Sequence, residues 1–131
     1  MTTINLAVEG EIATLTLNNP DKLNAINLAM WQQLSANMAS ISADRGIRCV
    51  VLRGAGDQAF AAGGDLEEFV TGRATLEQAL HYHGEVAKAL NAIADCPHPT
   101  VALIKGACIG GGLEIAGVCD LRIAGESARF G

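Results

Sequence analysis

Two glycine runs constrain this chain more than any other feature. Gly63 and Gly64 follow the apolar strings CVVLRGA and AFAA, while Gly110, Gly111 and Gly112 follow TVALIKGACI, and each run stands just before the start of a short helix. Adjacent glycines in that position adopt backbone angles closed to other residues and leave an amide N–H bare at the helix N-terminus. Taken singly, either run also suits a tight turn or a close helix packing. Two such turns facing one oxygen atom would stabilise negative charge developing on it, an oxyanion hole built without side chains.

Glu114 gives the second run its chemistry. It lies three residues after Gly111, in the first turn of the same short helix, and no basic residue stands beside it. The helix dipole alone favours an acid there. The apolar residues around it predict burial, a setting that suits a carboxylate to proton transfer, and an acid/base role is the reading taken.

Alternation sets the architecture. Ile4 to Val8 and Ile12 to Leu17 read as a hairpin around Gly10, with Ile12, Thr14 and Thr16 on one face and Ala13, Leu15 and Leu17 on the other. Asn18, Asn19 and Pro20 break that pattern, and a helix follows from Asn27 as N-cap, with Ile26 and Trp31 as a hydrophobic staple and Trp31, Leu34, Met38 and Ile41 as its buried stripe. CVVLRGA is a buried strand, and the glycine loop after it opens a short helix on which Asp65 and Glu68 are spaced as N-cap and N3 partner. Thr75 and Gln78 form a capping box for a long helix that runs through Leu76, Leu80, Val86, Leu90 and Ile93 to Pro97. TVALIKG, a helix from about Gly112 and CDLRIAG complete the series. Strands alternating with helices make a layered α/β fold.

Composition narrows the function. Half of the residues are apolar, 4% are aromatic and 15 are glycine, as in a globular chain with a sizeable core. The formal net charge is −5 with scattered basic residues, which argues against nucleic acid and anionic membranes as partners. The stretch from Thr100 to Cys119 approaches a membrane span in length, but Lys105, Glu114 and its glycines make it a soluble core. The N-terminus shows no secretory signal. Cys49, Cys96, Cys108 and Cys119 form no CxxC pair and suit reduced, buried thiols in a cytoplasmic protein. His81 and His83, two apart on a helix, do not share a face and predict no metal site. Cys96 and His98 flank prolines at a strand entrance and read as structural, and neither GxGxxG nor a phosphate-binding loop occurs.

Three stretches, LTLNNPDKLNAIN, FAAGGDLEEF and IKGACIGGGLEIAGVCDLRIAGESARFG, together resemble the crotonase (enoyl-CoA hydratase/isomerase) superfamily, in the right order and across the whole chain. The resemblance implies a crotonase-like spiral of β-β-α units that binds an acyl-CoA thioester, usually as a homo-trimer or hexamer, with no permanently bound cofactor. The backbone amides of Gly64 and Gly111 fall where the oxyanion donors stand, and many relatives carry alanine at the first of them. Glu114 resembles the first of the two hydratase glutamates, which activates or orients water. Ala25, Ala62, Gly64, Asp65, Leu66, Glu67 and Gly111 fall where relatives hold substrate, and Lys22 is either a contact for a CoA phosphate or a solvated surface lysine.

The ending departs from the superfamily. At Gly131 the resemblance reaches roughly the middle of a family member, so residues 1–131 are expected to be the N-terminal portion of a crotonase-like domain, from a longer or split polypeptide or a truncated product. The second hydratase glutamate would fall three residues on, and the C-terminal helices that close the pocket lie beyond it. Hydration of a 2-enoyl-CoA, a step of fatty acid metabolism, is the first expectation. The alternatives are double-bond isomerisation, acyl-CoA hydrolysis, to which GGDL has some likeness, and a non-catalytic acyl-CoA-binding or oligomer-building module.

Overall fold

Period-two burial builds the first pair of strands. In the computed structural model, which describes residues 2–131, β1 (Thr3–Glu9) and β2 (Ile12–Asn18) pair antiparallel with Thr3 opposite Asn18. Ala13, Leu15 and Leu17 alternate inward and are fully buried, which fixes the register, since a slip of one residue would expose all three.

The rest of the chain advances in repeated steps. β3 (Cys49–Gly54) is followed by β4 (Ala59–Ala61), β5 (Thr100–Ile104) by β6 (Ala107–Cys108), and β7 (Leu121–Ala124) by β8 (Arg129–Phe130). The first strand of each couple joins a sheet of order β1-β2-β3-β5-β7, and the second joins a smaller sheet of order β4-β6-β8. Each step adds one parallel strand to both sheets, which is the expected spiral of β-β-α units. Three of these strands, β4, β6 and β8, went unread in the sequence because a strand of two or three residues carries no detectable period.

Helices pack against the two sheets and against one another. Asn27 caps α1 (Leu28–Ala43) by accepting from Met30 N–H at 2.9 Å, and Trp31, Leu34, Met38 and Ile41 are buried as expected. His98 Nε2 lies 3.0 Å from the Ile41 carbonyl oxygen, near the end of that helix. Asp65 caps the six-residue α2 (Leu66–Thr71). Thr75 and Gln78 form the expected capping box of α3 (Leu76–Ala94), but its apolar stripe is corrected. Only its first turns depart: Leu76 and Leu80 are exposed, because α3 meets the core from Tyr82 onward, while Val86, Leu90 and Ile93 face the core as expected, joined by Tyr82 and Ala89. α4 (Gly111–Val118) buries Gly112, Ile115 and Ala116.

All four cysteines are free. Burial pushes the Cys119 thiol up to about 11 and the Cys108 thiol in the same direction, so both are protonated at neutral pH. No helix among the described residues is long and apolar enough to cross a membrane.

Candidate functional site

The loop after β2 is a clasp made of two buried asparagines. Asn24 accepts from Asn19 N–H at 3.0 Å and donates to the carbonyls of Ala55 and Ala59 at 3.0 and 2.9 Å, while Asn19 Nδ2 donates to Ala25 at 2.9 Å. Leu23 and Asn24 both hold left-handed backbone angles (φ 52° and 58°), which Asn tolerates and Leu resists. Held this way, the chain lies beside the first glycine run: Ala62 N–H donates to Leu23, Ile26 N–H to Gly63 and Asp65 N–H to Ile26. Of the four asparagines of this stretch, Asn18 and Asn19 read in the sequence only as a strand end and Asn27 as a cap, and Asn24 carries no local signal. Asn24→Ala strips partners from three backbone groups, two of them buried, and is expected to cost about 3 kcal/mol, read as a lower denaturant midpoint with unchanged slope.

Ile26 and Gly64 form an isolated parallel bridge. The groups flanking Gly64 supply its hydrogen bonds, so the Gly64 N–H faces away from Ile26 and donates to nothing among the described residues. The Gly111 N–H, at the first position of α4, is equally unengaged. The two turns touch: the Cβ direction of Gly110 points at Gly63 Cα, 3.6 Å from where a methyl would sit. Gly110 has φ 54° and ψ −117°, a conformation essentially restricted to glycine, and its N–H donates to Gly131 at 2.9 Å. Gly64 has no such restriction, and a methyl there would meet Arg73 and Phe69 at ordinary contact distances.

Glu114 sits in the first turn of α4, with its backbone N–H bonded to Gly110 at 3.0 Å. The expectation that it is buried is corrected: Glu114 is exposed, because α4 turns Gly112, Ile115 and Ala116 to the core and carries Glu114 on the opposite side.

A cleft of about 330 Å³ is lined by Ala25, Ala62, Gly64, Asp65, Leu66 and Glu67, with Lys22 at its edge. Six residues drawn from two separate stretches thus share one wall, whereas Gly111 and Glu114 stand outside it, on the turn that meets Gly63 through Gly110. Lys22 is neither isolated nor free: it pairs with Asp65 at 3.2 Å and Glu67 at 3.3 Å, and those carboxylates, Asp65 foremost, hold its pKa above the usual lysine value. Asp65 also caps α2 by accepting from Glu67 N–H at 3.0 Å. Glu68 does not complete a capping box. Its Oε1 instead accepts from Leu28 N–H at 2.8 Å and from the Tyr82 hydroxyl at 3.1 Å, locking α1, α2 and α3 together. No group of three or more metal-ligating side chains converges among the described residues.

Two sheets that each gain one strand per unit, with glycine turns meeting at helix starts beside a cleft, define a crotonase-fold protein. The chain belongs to the enoyl-CoA hydratase/isomerase family, whose model matches residues 7–131. Its fold superposes with a TM-score of 0.96 and 53% identity on an enoyl-CoA hydratase/carnithine racemase from Magnetospirillum magneticum, covering 100% of this chain and 49% of that one. It superposes with a TM-score of 0.90 and 34% identity on an enoyl-CoA hydratase from Bacillus anthracis, over 98% of this chain and 49% of the other. It is 34% identical over 126 residues to the short-chain-enoyl-CoA hydratase of Clostridium acetobutylicum, over 96% of this chain and 48% of that protein. The chain spans about half the length of the relatives it matches.

Proposed function

We propose that this protein adds water across the double bond of a 2-enoyl-CoA, with the thioester oxygen held by the Gly64 and Gly111 amides and Glu114 handling the water or its proton. The observation that carries the reading is the pair of unengaged N–H groups on two turns in contact, the first on the cleft wall and the second one helical turn from a carboxylate. On this reading the cleft takes the coenzyme A arm, and the small side chains of Ala25 and Ala62 leave room for pantetheine. The Lys22 pairs to Asp65 and Glu67 make it a rim group that must exchange partners before it can meet a phosphate.

Hydration uses a second acid/base group, which the family likeness puts three residues past Gly131. Gly131 is pinned to the second turn, since its carbonyl accepts from Gly110 and its N–H donates to Cys108, so polypeptide continuing from it would start beside Glu114. The reading carries with it a cytoplasmic homo-trimer or hexamer, to which the exposed Val70, Leu113 and Phe130 contribute apolar contact surface.

The test is turnover of crotonyl-CoA in heavy-oxygen water, followed by mass spectrometry of the thioester. A heavy-oxygen 3-hydroxyacyl product is expected. Deuterium uptake without oxygen uptake would replace hydration by isomerisation, release of free coenzyme A would indicate hydrolysis, and binding without conversion would leave the acyl-CoA-binding module.

A further inference from the structure

Arg73 lies in the turn between α2 and α3 and has no carboxylate partner among the described residues. Its guanidinium carbon sits over two aromatic rings, 3.7 Å from the Tyr82 centroid and 4.3 Å from the Phe69 centroid. Stacking of this kind removes water from the cation and fixes its orientation. Nε is buried without a hydrogen-bond acceptor. A buried donor on a charged group left unpaired is costly, so its persistence calls for an explanation.

Glu68, which shares Tyr82 with Arg73, does not supply that acceptor. It commits Oε1 to Leu28 N–H and to the Tyr82 hydroxyl, which stays protonated because burial raises its pKa. Meanwhile Arg73 Nη2 stands 3.6 Å, and Phe69 Cζ 3.8 Å, from the position a Cβ on Gly64 would occupy. Neither residue is among those that line the cleft. Gly64 thus touches both a cleft walled by small residues and acids and a stacked guanidinium that has no carboxylate partner among the described residues.

We propose that Arg73 is a specificity-determining residue that pairs with a carboxylate on the acyl group, so that the preferred substrates are acyl-CoA thioesters of short dicarboxylic acids. The inference rests on the acyl-CoA reading above: with the coenzyme A arm in the cleft and the thioester at Gly64, the acyl chain leaves toward Phe69 and Arg73. A guanidinium fork matches a carboxylate bidentately, and Phe69 beside it accommodates the methylene carbons between thioester and acid.

Calorimetric titration with two unreactive thioesters, butyryl-CoA and glutaryl-CoA, tests this. Glutaryl-CoA is expected to bind about 30-fold more tightly, the worth of a charge-assisted pair. Arg73→Met should bring glutaryl-CoA down to the butyryl-CoA affinity and leave butyryl-CoA within about threefold, while Arg73→Lys, which keeps the charge and the stacked stem, should retain only part of the preference. Equal binding of the two thioesters by the wild-type protein, or a preference that survives Arg73→Met, overturns the role of Arg73 and leaves the acyl-CoA reading standing. Binding of neither thioester overturns both.

Discussion

Glu114→Gln is expected to lower kcat by about 10³-fold while leaving KM within a few-fold, because a glutamine keeps the shape and polarity of the side chain but can neither take up nor release the proton. The exposed position makes this a clean substitution. No side-chain hydrogen bond of Glu114 exists to be lost among the described residues, and its backbone bond to Gly110 does not depend on the side chain. Melting temperature should therefore be unchanged, and a non-reacting thioester should bind as before through the Gly64 and Gly111 amides. Turnover at the wild-type rate would remove Glu114 from the chemistry, and a raised KM at constant kcat would make it a binding group instead.

Gly112→Ala is expected to destabilise the fold by about 3 kcal/mol, lowering the melting temperature by about 10 °C. An added methyl would overlap the Ala61 carbonyl oxygen of β4 and stand 2.9 Å from the Ala61 side chain. That carbonyl already accepts from Ile109 N–H, so neither backbone can step aside without loosening the turn that carries Gly110 and Gly111. Gly117→Ala, in the same helix, is the matching control: nothing lies within 4 Å of the added methyl, so a gain of roughly 0.5–1 kcal/mol is expected. If both substitutions melt alike, the close approach of α4 to β4 is not what requires a glycine at position 112.

The bland explanation of glycine runs thus applies within the second run itself. Gly112 is required by packing and Gly110 by its backbone angles, which leaves Gly111 as the residue whose N–H is available. At Gly111 a methyl would stand 2.9 Å from the buried Trp31 ring, so this position too is closed to larger residues. Gly64 carries neither constraint, in keeping with a donor that belongs to the backbone alone.

Local chemistry is what the sequence encodes openly. The caps at Asn27, Asp65 and Thr75, the alternation in β2 and the stripe of α1 each depend on residues within a few positions of one another, and all of them form as their spacing predicts. Family likeness in two of the three stretches, not periodicity, marked out the residues that share the cleft wall.

Tertiary structure decided everything that depends on which distant segments meet. Glu68 looks like a capping partner until α1 and α3 arrive to claim its oxygen, 40 and 14 residues away. Leu76 and Leu80 fit a buried stripe until α3 is seen to begin outside the core. Glu114 sits in an apolar string yet faces outward, because a short helix with one side on the sheet must turn its other side away. Arg73 had no signal at all, since stacking on Phe69 and Tyr82 beside Gly64 exists only once α2 and α3 are folded against the first glycine turn. Spacing along a chain fixes hydrogen bonds within a turn of helix or a strand pair, but the facing of one glycine turn toward another is fixed by the summed packing of the two sheets between them.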